Sequence, residues 1–428
     1  MFQLTNPFKV SMFVNCLFRM RVLSAFLSGV TLLAIFSFPL LGQSSEVVES
    51  ERAAVFDEVV RIVKEHFYDQ DYDWEAWQSS VVAARENAFA AKSPDAFAVA
   101  VNDLLASLQT SHTQYFSKSD PRRYQLVGVF AALYEDRDDD FFCYDGIGID
   151  SRVIEGKTYV TAVFDGFPAA KAGLRFGDQI LAVNNEPLQL IRSFAGLSGQ
   201  QVLVKILRQG KKLVIHCGVE RIDGRTMFET ALKSSVRIIE RGGRKIGYVH
   251  VWCYAGMKYQ ELLRTELLYG QLSNCDALVL DLRDGWGGAN LNYLNLFREP
   301  LAIVKATDRA GKQSSFSDVW GKPVALLTNV GSTSGKELFT YGFKKWKLGK
   351  VFGEKTAGAV VAGRAFVLSN DDFLYLAVMD VEIDGKRLEG RGVKPDVRVE
   401  RDLLQSDRND PQLGAAVEYL VKEAAGSE

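Results

Sequence analysis

The sequence predicts an α/β core that follows a β-rich module and a small helical domain. Apolar residues recur at helical spacing from about residue 47 to 108, and short strand-like runs with tight turns fill residues 127–222. Apolar, β-branched strands then alternate with helices from about residue 245 onward. Such alternation is typical of a mainly parallel sheet, whose ligands lie at the carboxyl ends of its strands. We expect domains at residues 46–126, 127–222 and 223–428.

The overall composition is that of a globular protein. Of the 428 residues, 47% are hydrophobic and 24% are charged, and the formal net charge is −2. This length allows about three domains of ordinary size. Nucleic-acid-binding proteins usually carry a basic excess or a clustered basic face. The near balance of charge therefore argues against a nucleic-acid partner, while the oligomeric state stays open.

Residues 1–45 have the pattern of a secretory signal peptide. Arg19 and Arg21 precede an apolar run at residues 22–41, and small and polar residues follow it. A positively charged segment, an apolar segment and a cleavage site with small residues are typical of a cleaved signal peptide. An uncleaved membrane anchor is the alternative, because about 20 apolar residues can span a bilayer. With cleavage, we expect an exported chain in the periplasm or cell envelope, or secreted, without stable membrane insertion.

The helical domain is predicted from apolar residues spaced three and four apart, such as Val55, Val59 and Ile62. Ser93, directly before a proline, is a start signal for its last helix. Beyond that helix the chain passes through His112, within the sequence TSHTQY. This histidine stands between the helical domain and the β-rich module.

The β-rich module resembles a PDZ domain in a permuted order. The resemblance rests on the sequence GIGI, on the turn and helix at residues 168–174, and on residues 177–184. A glycine-flanked loop exposes N–H groups to a terminal carboxylate, and the following strand offers an edge to a peptide. The alternative is a module that only packs against the core. The predicted peptide-binding residues are Gly146, Ile147, Gly148 and Ile149.

Two turns of the predicted core combine glycine or serine with a strand end. Residues 281–288 read DLRDGWGG after a buried strand, and Gly287 and Gly288 let the backbone approach a ligand closely. Ser334 stands where another strand gives way to a helix, whose first N–H groups lie unpaired beside it. These are the ingredients of an oxyanion hole. Taken alone, Ser334 and Glu337 also form a capping-box pattern.

Together these motifs resemble the tail-specific, or carboxyl-terminal processing, protease family. Residues 281–288, Ser334 three residues before a glutamate, and residues 353–358 and 388–396 carry the resemblance, in the family's order. It implies a crotonase-like α/β core and a serine endopeptidase that acts through an acyl-enzyme on proteins or peptides, without a metal or organic cofactor. Ser334 would be the nucleophile. The oxyanion would be held by the N–H groups of Gly335 and of Gly287 or Gly288.

The general base departs from the family's usual pattern. Members with a Ser-Lys dyad carry lysine where this chain has Ala359. Lys336 and Lys355 lie nearby, and both are more simply interpreted as solvated charges. A serine without a base is a weak nucleophile. His112 is the candidate, because its surroundings resemble the tricorn core protease, a distant relative in which a histidine of this motif is the base.

The resemblance to the tricorn core also implies an acidic residue, which transfers to Glu389. In the hypothesis, His112 takes the proton from Ser334, and Glu389 orients the imidazole directly or through another hydroxyl. The alternatives are a structural His112 and a Glu389 paired with an arginine such as Arg391. A second departure is Gly285, where the family usually has asparagine, and this change is expected to loosen the loop.

Two rival functions remain open at this level. A non-catalytic relative could bind peptides or hydrophobes after losing its base, and an envelope scaffold could act through the PDZ-like module alone. The missing lysine favours the first rival, whereas the retained serine, histidine and glycines argue against it. The four histidines show no metal-type spacing. The cysteines of the mature chain are expected to be small buried hydrophobes rather than a disulfide framework: Cys143, Cys217, Cys253 and Cys275.

Overall fold

The computed structural model describes residues 45–300, 302–404 and 410–426, and the predicted signal segment at residues 1–44 lies outside them. Three helices form the N-terminal domain: α1 (Ser45–His66), α2 (Trp74–Ala90) and α3 (Pro94–Ala106). Ser93 caps α3, and its Oγ accepts the N–H of Ala96 at 3.1 Å. None of the helices in the described ranges is long and apolar enough to cross a bilayer.

A connecting segment joins the helical domain to the β-rich module. It contains strand β1 (Gln114–Phe116) and helices α4 (Pro121–Val129) and α5 (Asp139–Phe142). Helix α4 crosses the predicted boundary at residues 126 and 127, where the sequence indicated short strands. Its residue Arg123 is buried, and its Nη2 donates to Asp371 O at 2.8 Å while Nη1 donates to Phe141 O. The segment is therefore anchored to the core and to α5.

The β-rich module forms a five-stranded antiparallel sheet in the order β3-β4-β5-β6-β7, with β3 at one edge. The turn of the predicted hairpin has positive φ at Gln209 and Gly210, as a two-residue turn between twisted strands requires. A separate pair, β2 with β8, closes the module. Its elements are β2 (Cys143–Gly146), β3 (Ile149–Ile154), β4 (Lys157–Val163), α6 (Pro168–Ala172), β5 (Gln179–Val183), β6 (Gln201–Arg208), β7 (Lys211–Gly218) and β8 (Glu220–Asp223).

The core is a six-stranded sheet in the order β20-β15-β14-β11-β10-β9, parallel except for the edge strand β9. Its first part contains α7 (Met227–Ser235), β9 (Arg237–Arg241), β10 (Arg244–His250), α8 (Met257–Leu268), β11 (Ala277–Asp281), β12 (Val304–Thr307) and β13 (Gln313–Phe316). Its second part contains β14 (Val324–Thr328), α9 (Gly335–Lys345), β15 (Lys350–Gly353), β16 (Ala362–Val367), β17 (Phe373–Met379), β18 (Glu382–Ile383), β19 (Lys386–Arg387), β20 (Val397–Arg398) and α10 (Pro411–Gly426).

Helices cover both faces of this sheet. The apolar residues of α10, such as Leu420, pack on one face against strand residues such as Val279, while α8 and α9 contribute to the cluster on the other face. The central strands β11 and β14 are buried along their whole length, which explains their continuous apolar sequence. The predicted parallel α/β core is confirmed.

Strand β1 brings the helical domain onto the core. It pairs antiparallel with β17, which pairs with β16. Asn102 of α3 bonds to the backbone of Tyr115 in both directions, with Nδ2 donating to the carbonyl at 2.9 Å and Oδ1 accepting the N–H at 2.8 Å. These contacts fix the chain just after His112 in relation to the core.

Candidate active site

Ser334 occupies a strained turn between strand β14 and helix α9. Its backbone has φ 55° and ψ −128°, a region that residues other than glycine rarely adopt. The Ser334 N–H donates to Ala359 O at 2.7 Å and to Glu337 Oε1 at 3.3 Å, so neighbouring segments hold the strained turn. A serine in a sharp strand-to-helix turn presents its hydroxyl to solvent, which is the geometry of a nucleophile elbow.

Glycines pack closely around this serine. A Cβ on Gly287 would lie 2.6 Å from Ser334 Cβ, and a Cβ on Gly335 would lie 2.3 Å from Ala289 N. Glycine is therefore required at both positions. Within the described ranges, no acceptor takes the N–H of Gly287, Gly288 or Gly335. These three donors are available to an oxygen atom bound beside Ser334.

The loop that carries these glycines is tightly packed. A Cβ on Gly285 would lie 1.9 Å from Trp252 O, and the same carbonyl accepts the N–H of Trp286 at 2.8 Å. The N–H of Tyr254 donates to Gly287 O at 3.1 Å. The expectation that Gly285 loosens the loop is therefore wrong, because the missing side chain lets the two segments pack directly on each other.

His112 is held by a chain of hydrogen bonds. Its Nδ1 lies 2.9 Å from Ser111 Oγ, and Ser111 Oγ donates to Glu389 Oε2 at 3.1 Å. A carboxylate can only accept, and a hydroxyl has only one proton to donate. Nδ1 of His112 must then carry a proton and donate it to Ser111 Oγ, which leaves Nε2 unprotonated in the neutral ring. Sequence reasoning left open whether such a hydroxyl exists, and Ser111 supplies it.

The ionised form of Glu389 is stabilised by hydrogen-bond donors and not by an arginine. Its carboxylate accepts the N–H groups of Ser111 at 3.0 Å, Val360 at 2.6 Å and Val361 at 3.2 Å. Burial opposes ionisation, but these hydrogen bonds outweigh it and hold the pKa of Glu389 below its ordinary value. Among the described residues, no arginine bonds to Glu389, so the alternative pairing with Arg391 is not formed.

The imidazole of His112 is neutral near pH 7. Burial lowers its pKa to about 4, and the negative charge of Glu389 compensates only in part. The ring packs against Tyr375 of β17, with ring centroids 5.2 Å apart. A neutral, oriented imidazole with an unprotonated Nε2 has the chemical form of a general base.

Ser334 and His112 line the same cavity, although no direct hydrogen bond joins them in the described structure. The cavity has a volume of 530 Å³ and also reaches Gly287, Gly288 and Ala359. Catalytic hydrogen bonds often tighten only when a substrate is bound. Most of the wall is apolar or aromatic, with Phe116, Leu126, Val129, Phe130, Trp286 and Tyr375.

Neither of the two lysines considered as alternative bases lines the cavity of Ser334. Lys336 is fully buried, so its interpretation as a solvated charge is wrong, and its Nζ donates to the carbonyls of Trp252 and Asp284. Lys355 is exposed, as expected. Of the described residues that line the cavity, the titratable ones are His112 and Tyr375, and burial raises the pKa of Tyr375 to about 12.

The four predicted peptide-binding residues lie at the start of the PDZ-like sheet. Ile147 and Ile149 are buried in the module's own cluster together with Phe194, and Ile147 O accepts the N–H of Ala169 at 2.8 Å. Gly148 adopts φ 78°, and a Cβ there would lie 2.3 Å from Phe167 Cβ. This stretch therefore shapes the start of β3, while Gly146 ends β2.

The open edge of β3 lines a second cavity. This cavity of 750 Å³ is lined by residues 150–153 of β3 and by Leu188, Leu190 and Ile191, together with charged residues such as Arg122 and Arg192. It extends to Trp286 and Thr333, which also line the cavity of Ser334. The sequence prediction missed this part of the lining, although the apolar residues Leu188, Leu190 and Ile191 between two strands could have indicated it.

The described cysteines carry no disulfide. Cys217, Cys253 and Cys275 are buried, and Cys143 is partly buried. Burial raises the pKa of each of these thiols. The interpretation as small buried hydrophobic residues is confirmed for Cys217, Cys253 and Cys275, whereas Cys143 is only partly buried.

Parts of the chain are similar to known proteins in sequence and in fold. The family model described as "Peptidase family S41" matches residues 245–399, and the model described as "PDZ domain" matches residues 146–217. The chain is 24% identical over 325 residues to the "Probable CtpA-like serine protease" of Staphylococcus aureus (strain bovine RF122 / ET3-1), covering 72% of this chain and 60% of that protein. It is 22% identical over 321 residues to the "Carboxy-terminal processing protease CtpB" of Bacillus subtilis (strain 168), covering 71% and 62%.

The chain thus spans less than two thirds of the length of these relatives. Among solved structures, the tricorn protease matches with a TM-score of 0.53 at 18% identity, covering 88% of this chain and 37% of that chain. This likeness concerns the fold, and the predicted arrangement of helical domain, PDZ domain and α/β core is confirmed. Residues 245–399 thus match peptidase family S41, and residues 146–217, which precede them, match a PDZ domain.

Proposed function

We propose that this protein is a serine endopeptidase with Ser334 as nucleophile, His112 as general base and Glu389 as the residue that orients the base through Ser111. One observation carries the proposal. Ser334 on its strained turn and His112 line one cavity, beside N–H groups of Gly287, Gly288 and Gly335 that no described acceptor takes. A nucleophile, an oriented base and oxyanion donors are the three parts that acyl transfer requires.

In the first step, Ser334 Oγ bonds to the carbonyl carbon of the scissile peptide while His112 Nε2 takes the hydroxyl proton. The electron pair of the C=O double bond moves to oxygen, which Gly335 and Gly287 or Gly288 stabilise through their N–H groups. The imidazolium is stabilised by Ser111 Oγ and Glu389. His112 then gives its proton to the leaving amine as the C–N bond breaks. Water repeats the sequence on the acyl-enzyme and restores Ser334.

The PDZ domain supplies substrate binding away from the scissile bond. An extended peptide can add its backbone to the open edge of β3, with its side chains against Leu190 and Ile191. Trp286 and Thr333 line both cavities, so such a segment would lead directly to Ser334. The B. subtilis relative is named for carboxy-terminal processing. We propose protein or peptide substrates captured by C-terminal or apolar segments, with Gly146, Ile147, Gly148 and Ile149 setting the start of the binding strand.

The export of the protein is a further part of the proposal, and it rests on the pattern of residues 1–45. The substrates would then be proteins or peptides of the periplasm or cell envelope, or outside the cell.

The decisive experiment combines casein hydrolysis with labelling by a serine-reactive fluorophosphonate. In the full chain, Ser334→Ala should abolish both, and His112→Ala should lower both by about 10³-fold or more. Ser198→Ala and His216→Ala are matched controls, because both side chains are exposed on the PDZ domain outside the cavity and should leave the rates unchanged.

Other outcomes would contradict the proposal. Labelling that persists in Ser334→Ala would exclude this serine as the nucleophile. Full activity in His112→Ala would exclude the base. A parent protein that neither hydrolyses casein nor reacts with the probe would favour a non-catalytic peptide-binding protein.

A further inference from the structure

Lys336 is a fully buried lysine next to the proposed nucleophile. It lies two residues after Ser334, in the first turn of α9, and its side chain is 0% exposed. Its ammonium donates to Asp284 O at 2.6 Å and to Trp252 O at 3.1 Å. Lysine is almost never fully buried unless it is paired, because burying a charge costs free energy. The two hydrogen bonds to backbone carbonyls must therefore offset part of the cost of burying this lysine.

Its two acceptors belong to the two segments that build the oxyanion loop. Trp252 follows strand β10, and Asp284 follows strand β11. Trp252 O also accepts the N–H of Trp286, and Gly287 O accepts the N–H of Tyr254, so the two segments are bonded along their length. The ammonium of Lys336 lies where these segments meet the helix that begins beside Ser334. One side chain thus links the nucleophile's helix to the loop of Gly287.

The groups that face Lys336 leave its charge without a direct carboxylate partner. Asp281 bonds to Arg283, and Asp284 Oδ1 accepts from Asn329 Nδ2 at 2.9 Å. The thiol of Cys253 and the imidazole of His250 complete the titratable surroundings, and burial lowers the pKa of His250 to about 4, so that ring is neutral. Burial lowers the pKa of Lys336 to about 8, against the raising influence of Cys253, Asp284 and Asp281.

We propose that Lys336 is a positioning residue for the reaction: it holds the oxyanion loop at Gly287 and Gly288 against Ser334, and its buried positive charge strengthens oxyanion stabilisation. The proposal rests on the proposed function and adds one residue to its machinery. Preorganised charge in a site shielded from water acts more strongly than in water. Lys336 does not touch the reacting atoms, so its effect should fall on kcat rather than on KM.

The sign of the pH effect follows from the lowered pKa of Lys336. The ammonium is charged below a pH of about 8 and loses its charge above it, so the activity of the parent should fall as the pH rises through about 8. The unfolded chain retains its lysine proton to higher pH, so the same titration should raise the free energy of unfolding with pH. Activity and stability should therefore change in opposite directions above pH 8.

The test measures kcat and KM for casein from pH 5 to pH 10 in the parent, in Lys336→Met and in Lys336→Arg. Lys336→Met should lower kcat by about 10- to 100-fold with little change in KM, and its alkaline decline should disappear. Lys336→Arg keeps the charge and should move the decline to higher pH. Lys322→Met is the matched control, since its ammonium also donates to two carbonyls, those of Ser273 and Cys275, away from the cavity.

Several results would overturn the proposal. If the activity of the parent stays constant from pH 8 to pH 10, the proposal is overturned. This result needs no variant, so it holds even if Lys336→Met fails to fold. An unchanged kcat in folded Lys336→Met would do so as well, while loss of labelling in Ser334→Ala would show that the proposed function still held. An effect on kcat as large in Lys322→Met would reduce Lys336 to a stabilising residue. A parent without any activity would remove both proposals together.

Discussion

At the scale of single residues, the candidate site contains two residues whose backbone conformation is rare outside glycine. Ser334 and His112 both have φ 55°. Such positions cost about 1–3 kcal/mol each and persist only where the surroundings determine them. For Ser334 the surroundings are Ala359 O and Glu337, and for His112 they are Ser111 and the strand that follows. The backbone conformation at Ser334 and at His112 therefore sets the direction in which each side chain leaves the main chain.

The hydroxyl of Ser111 is the link between His112 and Glu389. Removing it in Ser111→Ala should lower kcat/KM by about 10-fold, less than His112→Ala, because Nε2 remains while the orientation of the ring is lost. Ser111→Thr keeps a hydroxyl and should restore most of the rate. The measurement is casein hydrolysis at pH 7. Full activity in Ser111→Ala would show that the relay is unnecessary.

At the scale of elements, helix α9 is organised by the carboxylate of Glu337. It accepts the N–H groups of Gly358 and Ala359, each at 2.7 Å, and the hydroxyl of Thr356, besides the N–H of Ser334. The sequence pattern predicted a capping residue. In the structure the same side chain also orders the loop whose carbonyl at Ala359 accepts the N–H of Ser334.

Replacing this carboxylate should destabilise the fold. In Glu337→Gln the amide NH₂ would face backbone donors and leave at least one of them unpaired inside the protein. The free energy of unfolding should fall by about 2–4 kcal/mol. Urea unfolding followed by circular dichroism measures the change, with the exposed Glu240→Gln as control. Equal stability of the two variants would contradict a structural role of this carboxylate.

At the scale of the whole molecule, the site needs all three parts of the chain. His112 leaves the helical domain and is fixed by the pairing of β1 with β17, Ser334 and Glu389 come from the core, and the PDZ domain lines the neighbouring cavity. The proposed catalytic hydrogen-bond chain joins Ser111 to Glu389, 278 positions apart in sequence. Substitutions at the interfaces between these parts should therefore lower the catalytic rate more than they lower the stability of the core.

The second cavity should matter for long substrates only. Leu190→Asp replaces an apolar side chain that lines this cavity with a charged one, and it should raise KM for casein by roughly 10-fold, given about 1–3 kcal/mol for a lost apolar contact. Cleavage of a short peptide that fills only the cavity of Ser334 should not change. Leu213→Asp is the control, because Leu213 is 38% exposed on β7 of the same domain and does not line the cavity. Equal effects on both substrates would argue against peptide capture at β3.

The sequence alone determined the elements and the candidate chemistry. Periodicity predicted the apolar strands that alternate with helices from about residue 245 onward, where β10, β11 and β14 lie, because buried strands require continuous apolar residues. The serine, the histidine and the glutamate were each named from motifs. Such local patterns can be recognised in a sequence because they reflect the hydrogen bonding and burial of neighbouring residues.

Only the tertiary structure decided how these residues meet. It placed the hydroxyl of Ser111 between His112 and Glu389, buried Lys336 against two carbonyl groups, and packed Gly285 onto Trp252. Each of these features joins segments far apart in the chain, and a single sequence carries no local signal for such contacts. The solvated lysine and the loosened loop were natural predictions from neighbouring residues alone. They were wrong because burial is a property of the assembled core.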